Sequence, residues 1–506
     1  MLDASVPWLC LAVPLAAAIA ISLLRGGDSA PRLVAMAAML AVLALSLRVF
    51  LAYDAATDPG RFDFHLPWMP SLGINLHLGV DGFNVYLLLL GAVLFPVVLA
   101  CTWNAAESRR PLYLALTLSL EASLLGTFLS QNLLMFFVFW EAVLIPMGVI
   151  ILVFGGERRR AAATAFFLYT LAGSVLLLAA VIALGAECLR QTGRWSFELD
   201  VLYGLTLAPG MQWLVFAGIM LACAVKCPLV PFHSWLPLAY CEAPPSASAL
   251  MAGVLSKMGA FGILKLALPF APDVAPIAAP YMICLAVATI LYGAVLALRE
   301  EDYKRLVAYS SLSHMGYIVL GLFSLQQIAI HGAMLQMLSH GLAVTGLFLL
   351  LGMLEQRCGP AYRQAAALSA AAPRLAVLIM LFVLTSVALP LTSGFAAEFM
   401  ILLGAFAQGF AAWRADAGAV LLIAAVLASS GMVLGAAYML RFARAILFDR
   451  RDDAPPPVRD LRLAEMTPLA AALSLVLWIG IAPGTITAKA QGAVSALASA
   501  GSGHGR

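Results

Sequence analysis

The sequence predicts an all-α polytopic membrane protein of about fourteen transmembrane helices. Three observations carry this. Of 506 residues, 63% are hydrophobic and 11% charged, where a soluble domain carries about 25% charged residues. Apolar runs of about 20 residues, the length that crosses a bilayer, recur from one end of the chain to the other. Basic residues collect in every second loop, the pattern of cytoplasmic loops.

Taken in order, the apolar segments fall at 7–24, 33–53, 83–103, 112–129, 132–154, 162–189, 211–236, 246–270, 276–298, 306–323, 327–354, 374–408, 416–447 and 466–488. The first is preceded by Asp3 and no basic residue. It lacks a signal peptide's charged leader and is expected to stay as a span. Between the second and third segments, residues 54–81 carry Pro67, Trp68 and Pro70 in short alternating runs, which predicts a small external hairpin. Leu221–Leu268 reads as two apolar helices around a proline-rich corner, with Lys226 in the first, Lys257 in the second, and Pro228, Pro231, Pro237, Pro244 and Pro245 between. A helix broken inside a bilayer is tolerated only where protein or water satisfies the freed backbone groups, so a water-accessible ionisable site is expected there. The twelfth segment breaks near Pro390 and Gly394, with Glu398 inside. Five spans separate the two breaks, so corresponding helices face opposite ways, the mark of an inverted-repeat transporter. Asp449–Arg462, charged and carrying Pro455, Pro456 and Pro457, reads as a cytoplasmic linker that caps the bundle.

Orientation follows from the loops. Arg25 and Arg32 follow the first span, Arg109 and Arg110 the third, Arg158, Arg159 and Arg160 the fifth, and Arg299, Lys304 and Arg305 the ninth. Arg357, Arg363 and Arg374 follow the eleventh, and Arg441, Arg444, Arg450, Arg451, Arg459 and Arg462 the thirteenth. The alternate loops hold Arg61, Arg190, Arg194 and Arg414. The excess puts the odd-to-even loops in the cytoplasm of a bacterial inner membrane and both termini on the outer, periplasmic side. The net charge of +3 is small, and nothing points to nucleic acid.

Ionisable residues in a span are costly and rare unless they pair or work. Glu141, in FFVFWEAVLIPMG, sits near the middle of the fifth span. It is either a neutral acid bonded to a neighbouring helix or part of a proton path. Lys226 is its candidate partner. Burial favours the neutral form of both groups and pairing favours the charged form, so a pair that separates acts as a switch. Lys257 offers the next site. Lys265 is eight residues further on, as open to snorkelling towards the surface as to function. Ser310, Ser313, His314 and Tyr317 line one face of the tenth span, fit either for a water chain or for interhelical glue. Gln336 and His340 share a face of the eleventh; His331, nine residues before His340, points half a turn away. Glu121 is a weaker candidate, and His233 sits in the first break.

Other chemistries lack their residues. The eight cysteines are scattered with no CxxC pair. Cys223 and Cys227 share a helix face, which allows a metal pair but fits small apolar filler better, since no further ligands accompany them. There is no iron–sulfur ligand set, dinucleotide loop or phosphate loop, and no nucleophile–base–oxyanion arrangement. No cofactor and no metal are expected on this chain. Proton relay fits the inventory.

The stretches FVFWEAVLIPM, AVKCPLVPFHSWLP, DYKRLVAYSSLSHMGY, QMLSHGLAVTGLFLL and LPLTSGFAAEFMILLGAF resemble the proton-translocating antiporter-like subunits of respiratory complex I, nearest the subunit M (mitochondrial chain 4) family. The resemblance runs from HLGVDGFNVYLLLL to the last span. It implies fourteen helices with two inverted five-helix repeats, dividing the chain into N-terminal helices and hairpin at 1–111, repeats at 112–270 and 271–448, and linker plus C-terminal helix at 449–506. It implies a hetero-oligomeric membrane arm coupled to partner subunits that hold FMN, iron–sulfur clusters and quinone. It also implies roles. Glu141 and Lys226 form the pair of the first half-channel, Lys257 is the central lysine, His314 and His340 lie on the polar axis, and Glu398 ends it. The sequence departs from the pattern at two places. Leu238, Ala239 and Tyr240 replace the usual Asp-Ala-His after Trp235-Leu236-Pro237, on the way to Lys226. Leu391 and Ala397 replace residues that are often glycine. A subunit of a multi-subunit cation/proton antiporter or of a membrane-bound hydrogenase shares these features. A passive structural subunit fits poorly with the intact Glu141, Lys226, Lys257 and Glu398.

Overall fold

The computed structural model describes residues 2–24, 29–54, 60–103, 109–359, 367–416, 418–449 and 458–502. Arg25, Arg363, Arg450, Arg451 and the three prolines of the expected linker lie outside them. Thirteen helices among the described residues are long and apolar enough to cross a membrane. The third expected span is Val85–Cys101, apolar and one residue short of that threshold length. With it, every segment expected from hydropathy is helical.

The first two helices, α1 (Leu2–Leu23) and α2 (Ser29–Ala52), precede a two-stranded antiparallel hairpin, β1 (Asp63–Met69) and β2 (Ile74–Gly79), which is the expected hairpin. Gly73, at φ +65°, makes the turn where a side chain would strike Trp195 and Ser196. Next come α3 (Val85–Cys101), α4 (Arg110–Leu129), α5 (Leu133–Ala142), α6 (Leu144–Phe154) and α7 (Arg159–Thr192). The fifth span is therefore two helices. Pro146 has no N–H for the carbonyl of Ala142, and the helix re-forms after Val143, directly beyond Glu141.

A short α8 (Leu199–Tyr203) leads to the first broken helix, α9 (Pro209–Lys226) and α10 (Trp235–Glu242). Pro228 removes the N–H that would continue the ladder. Leu229 N–H reaches back to the Ala224 carbonyl at 2.8 Å instead, and Trp235 Nε1–H takes the freed Val225 carbonyl at 3.1 Å. The eighth span, α11 (Pro245–Phe270), follows, then α12 (Val274–Arg299), α13 (Tyr303–Phe323) and α14 (Gln327–Cys358). Asp302 caps α13 by accepting from the N–H groups of Lys304 and Arg305. The second broken helix is α15 (Pro373–Ser386) and α16 (Ser393–Arg414). Its break repeats the first: Leu389 N–H bonds to the Leu384 carbonyl, again five residues back, at 3.1 Å. Then come α17 (Val420–Leu447), α18 (Leu463–Ile481) and α19 (Gly484–Ser502). Here the expected boundary moves. The fourteenth span ends at Ile481 rather than 488, because Pro483 stops the helix and α19 starts afresh. The visible end of the linker docks on the bundle, where the Asp460 carboxylate accepts from the N–H groups of Arg374 and Leu375 at the start of α15.

The centre of the molecule is α11 and α14. The most apolar stretches of both are completely buried by protein, whereas those of α17 and α18 are 28% buried. The peripheral helices turn leucine, isoleucine and phenylalanine outward, as a lipid-facing surface requires. The two central helices cross at glycines. A side chain on Gly341 would lie 2.7 Å from the Gly253 carbonyl, and one on Gly253 would strike Thr345. Small residues at a crossing let backbones approach closely where no hydrophobic effect drives helices together.

Candidate functional site

The Gly253–Gly341 crossing lies one turn from Lys257 and one residue from His340, and it brings these two together. Lys257 is wholly buried. Its ammonium donates to the Ala252 carbonyl at 2.6 Å and to Ser256 Oγ at 3.3 Å, and lies 2.7 Å from His340 Nδ1. Two π-helical turns, Met251–Leu255 and Ile263–Ala267, bracket it in α11. Such turns recur at functional sites because they re-aim side chains within a helix. The next pair is His314 and His340, with ring centroids 5.3 Å apart. His314 Nδ1 then lies 3.0 Å from Glu398 Oε1, and Gln336 Nε2 lies 3.0 Å from the same oxygen and 3.1 Å from His314 Nδ1. His314 Nδ1 and Glu398 Oε1 share one proton, and the Gln336 amide brings two of its own. If His314 Nδ1 carries the shared proton, Gln336 donates to Glu398 alone; if not, Gln336 is free to donate to the ring. The outer nitrogens of both histidines and Gln336 Oε1 are buried without a protein partner among the described residues. These polar atoms demand water or a moving proton.

Four expected site residues, Lys257, His340, His314 and Glu398, thus form one buried polar line across α11, α14, α13 and α16. The polar stripe of the tenth span divides. His314 serves the line, while Tyr317 OH donates to the Ala428 carbonyl of α17 at 2.7 Å and acts as interhelical glue. His331 is buried on the other side of α14 with its Nε2 unpartnered, as its spacing from His340 dictates.

Glu141 and Lys226 are placed differently from the expected ion pair. The Lys226 ammonium is buried with no hydrogen-bond partner among the described residues, and lies over the Trp140 ring at 5.2 Å from its centroid. Glu141 Oε1 is likewise unpartnered, and the carboxyl faces Ser174, whose hydroxyl accepts from Trp140 Nε1. Glu141 and Lys226 thus sit near Trp140 and feel each other's charge, but the lysine makes no hydrogen bond to the carboxyl among the described residues.

Lys265 does not snorkel. It is 6% exposed, pairs with Asp81 and donates to Gln131 Oε1 at 3.0 Å. Asp81 was not singled out from the sequence, although an aspartate opening an apolar run carries a capping signal. Its Oδ1 does accept from the N–H groups of Phe83 and Asn84. Glu121 is fully buried, both oxygens unpartnered, near Cys10 and outside the line. His233 packs on Tyr292 in the first break, and its Nδ1 has no partner. Cys223 and Cys227 act as filler: α11 passes so close that side chains at Gly259 and Gly262 would collide with their sulfurs at 2.9 and 2.7 Å. At the altered corner, Tyr240 is buried between Trp235 and Phe348 and faces Ser256, next to Lys257.

Residues 130–413 match the family described as "NADH:quinone oxidoreductase/Mrp antiporter, TM". The chain is similar to NADH-quinone oxidoreductase subunit M of Rickettsia typhi, 33% identical over 460 residues covering 90% of each protein. It is similar to the protein of that name in Escherichia coli K12, 32% identical with 96% of each covered. Among solved structures, a chain of respiratory complex I from Thermus thermophilus superposes with TM-score 0.85 at 31% identity, covering 98% of this chain and 99% of that one. A chain of the Mrp complex from Dietzia shares the fold, with TM-score 0.82 at 23% identity over 52% of its length.

Proposed function

The chain belongs to the NADH:quinone oxidoreductase/Mrp antiporter transmembrane family, and on that premise we propose that it is a proton-translocating membrane-arm subunit of an NADH:quinone oxidoreductase. The observation that carries this reading is the buried line from Lys257 through His340 and His314 to Glu398. Each member gains and loses a proton, and each faces the next. Lys257 holds a proton against three acceptors. Handing it to His340 leaves a neutral amine and moves the positive charge onto the buried imidazole. The step from His340 to His314 takes a bridging water or a ring rotation. Glu398 receives the proton through His314 and becomes neutral.

Glu141 and Lys226 act before this line. Lys226 has no hydrogen-bond partner among the described residues, so the two charges attract across a gap. Closing that gap would stabilise charge on Lys226, and reopening it would release a proton towards α11. The residue next to Lys226 makes a packed helix contact with the Lys257 neighbourhood: Cys227 Sγ reaches the Ser256 carbonyl at 3.7 Å. Oxidation of NADH and reduction of quinone, with FMN and iron–sulfur clusters, are assigned to partner subunits of the assembly in a bacterial inner membrane. The paired breaks support two inverted repeats at 112–270 and 271–448.

The test is the assembled complex in sealed vesicles. NADH-driven quinone reduction with proton uptake is expected, both lost when Lys257 is replaced by Met in fully assembled complex. Vesicles that instead exchange sodium for protons without NADH would replace this reading with the cation/proton antiporter.

A further inference from the structure

We propose that His65, His77 and Glu198 form a binding site for one divalent ion of the zinc class, which staples the β1–β2 hairpin to the segment before α8. Among the described residues they are the one group of three or more such side chains whose ligand atoms converge, all within 4.8 Å of one another. The site lies far along the chain from the relay line and none of its residues takes part in it.

His77 faces a carboxylate at each ring nitrogen, a geometry that an ion pair and a supported metal ligand share. Glu198 is anchored twice on one oxygen: Oε1 accepts from Asn75 Nδ2 at 2.7 Å and from Asn132 Nδ2 at 2.9 Å. Oε2 is left facing His77 Nδ1 at 2.5 Å. The other nitrogen of that ring, Nε2, is 2.6 Å from Asp63 Oδ1. A carboxylate that fixes the tautomer and aim of an imidazole through its far nitrogen is the usual support of a metal-binding histidine. His65 stands against His77 with ring centroids 5.2 Å apart, and its Nε2 is 4.0 Å from Glu198 Oε1, the oxygen that the two asparagines hold. Ligand bonds of 2.0–2.1 Å in a tetrahedral zinc site put neighbouring ligand atoms about 3.3 Å apart. The 2.5 Å contact of His77 with Oε2 must open by less than about 1 Å at that spacing, and His65 must swing in from its place beside Oε1. His65 is half exposed and free to make the adjustment. The ion displaces the proton that His77 otherwise shares with Glu198, and water completes the fourth position.

Two imidazoles and one carboxylate select the ion class. Imidazole suits zinc, cobalt, nickel and copper, whereas magnesium and calcium take oxygen donors. An open pocket of about 240 Å³ lies beside the site, lined by Asp63, His77, Asp81, Gln131 and Asp200, and its carboxylates draw cations inward. The staple joins three stretches of chain: the hairpin, the connection at Asn132 between α4 and α5, and Glu198 ahead of α8, where Asn132 and Glu198 already form a backbone bridge.

The untagged full chain in detergent, titrated with Zn²⁺ and with Co²⁺, tests this. One tight equivalent per chain is expected, with the intense visible absorption of tetrahedral Co²⁺ and no displacement by millimolar Ca²⁺. His65→Ala and Glu198→Gln should each weaken binding at least about tenfold, and Asp63→Asn by about tenfold. His65→Ala guards against misfolding, since that side chain is half exposed and its contacts are those to His77 and Glu198. Unchanged affinity in a folded His65→Ala variant, or no stoichiometric binding by the parent chain, would overturn the proposal.

Discussion

Lys257 Nζ and His340 Nδ1 lie 2.7 Å apart although 83 residues separate them in the chain. Neither helix carries a second charge at that level, so the pair shares one proton between two bases inside protein. The lysine has further acceptors in Ala252 and Ser256, while the histidine has an unpartnered Nε2 on its far side. The arrangement is directional: the proton has a place to rest on one side and a place to leave on the other.

Replacing either base should stop the line. Lys257→Met and His340→Ala are each expected to assemble and to lower proton-coupled quinone reduction by about tenfold or more, a barrier increase of about 1.4 kcal/mol. Quinone reduction and proton uptake in vesicles are the measurements. Near-normal values for both variants would remove this pair from the route.

The glycine crossing offers a test that leaves every ionisable group in place. Gly341→Ala puts a methyl 2.7 Å from the Gly253 carbonyl, so α11 and α14 must move apart. Overpacking of this kind costs about 1–3 kcal/mol. Turnover should fall while the complex still assembles. Unaltered coupling would mean that the Lys257–His340 distance is not limiting.

Glu141→Gln is expected to assemble and to depress coupled turnover strongly. Lys226 is tested with two variants. Arginine keeps the positive charge but does not give up its proton; methionine removes the charge and keeps a similar stem. If Lys226 hands on protons, both variants stall turnover. Full activity in Lys226→Arg would show that a fixed charge is enough.

Leu391 adopts φ +78° in the second break, a conformation that favours glycine, and its side chain is 67% exposed. Leu391→Gly removes a left-handed strain of about 1–2 kcal/mol and forfeits little packing. The detergent-solubilised protein should unfold at a higher temperature. A lower Tm would mean that the leucine side chain has a contact in the assembly.

The charge pattern of the loops predicts that both termini lie outside. A reporter active only in the cytoplasm, fused after Arg506, should be silent, and one inserted in the loop at Arg158–Arg160 should be active. Activity at the C-terminus would break the alternation of fourteen spans.

The sequence by itself determined what is local or periodic. Span length and hydropathy determined the apolar helices, because about 20 apolar residues are needed to cross a bilayer. Pro228 and Pro390 marked both breaks, because a residue without an N–H cannot continue a helix. Helical spacing put Gln336 and His340 on one face and turned His331 away. Tertiary structure decided the rest. It laid Lys226 over the Trp140 ring and left it without a hydrogen bond to Glu141, because side chains on separate spans meet only through packing. It gave Lys265 a partner in Asp81, 184 residues earlier, which no local spacing foretells. It joined His314 to Glu398 across two further spans, and Lys257 to His340 because two glycines let the central helices cross closely enough for their side chains to meet.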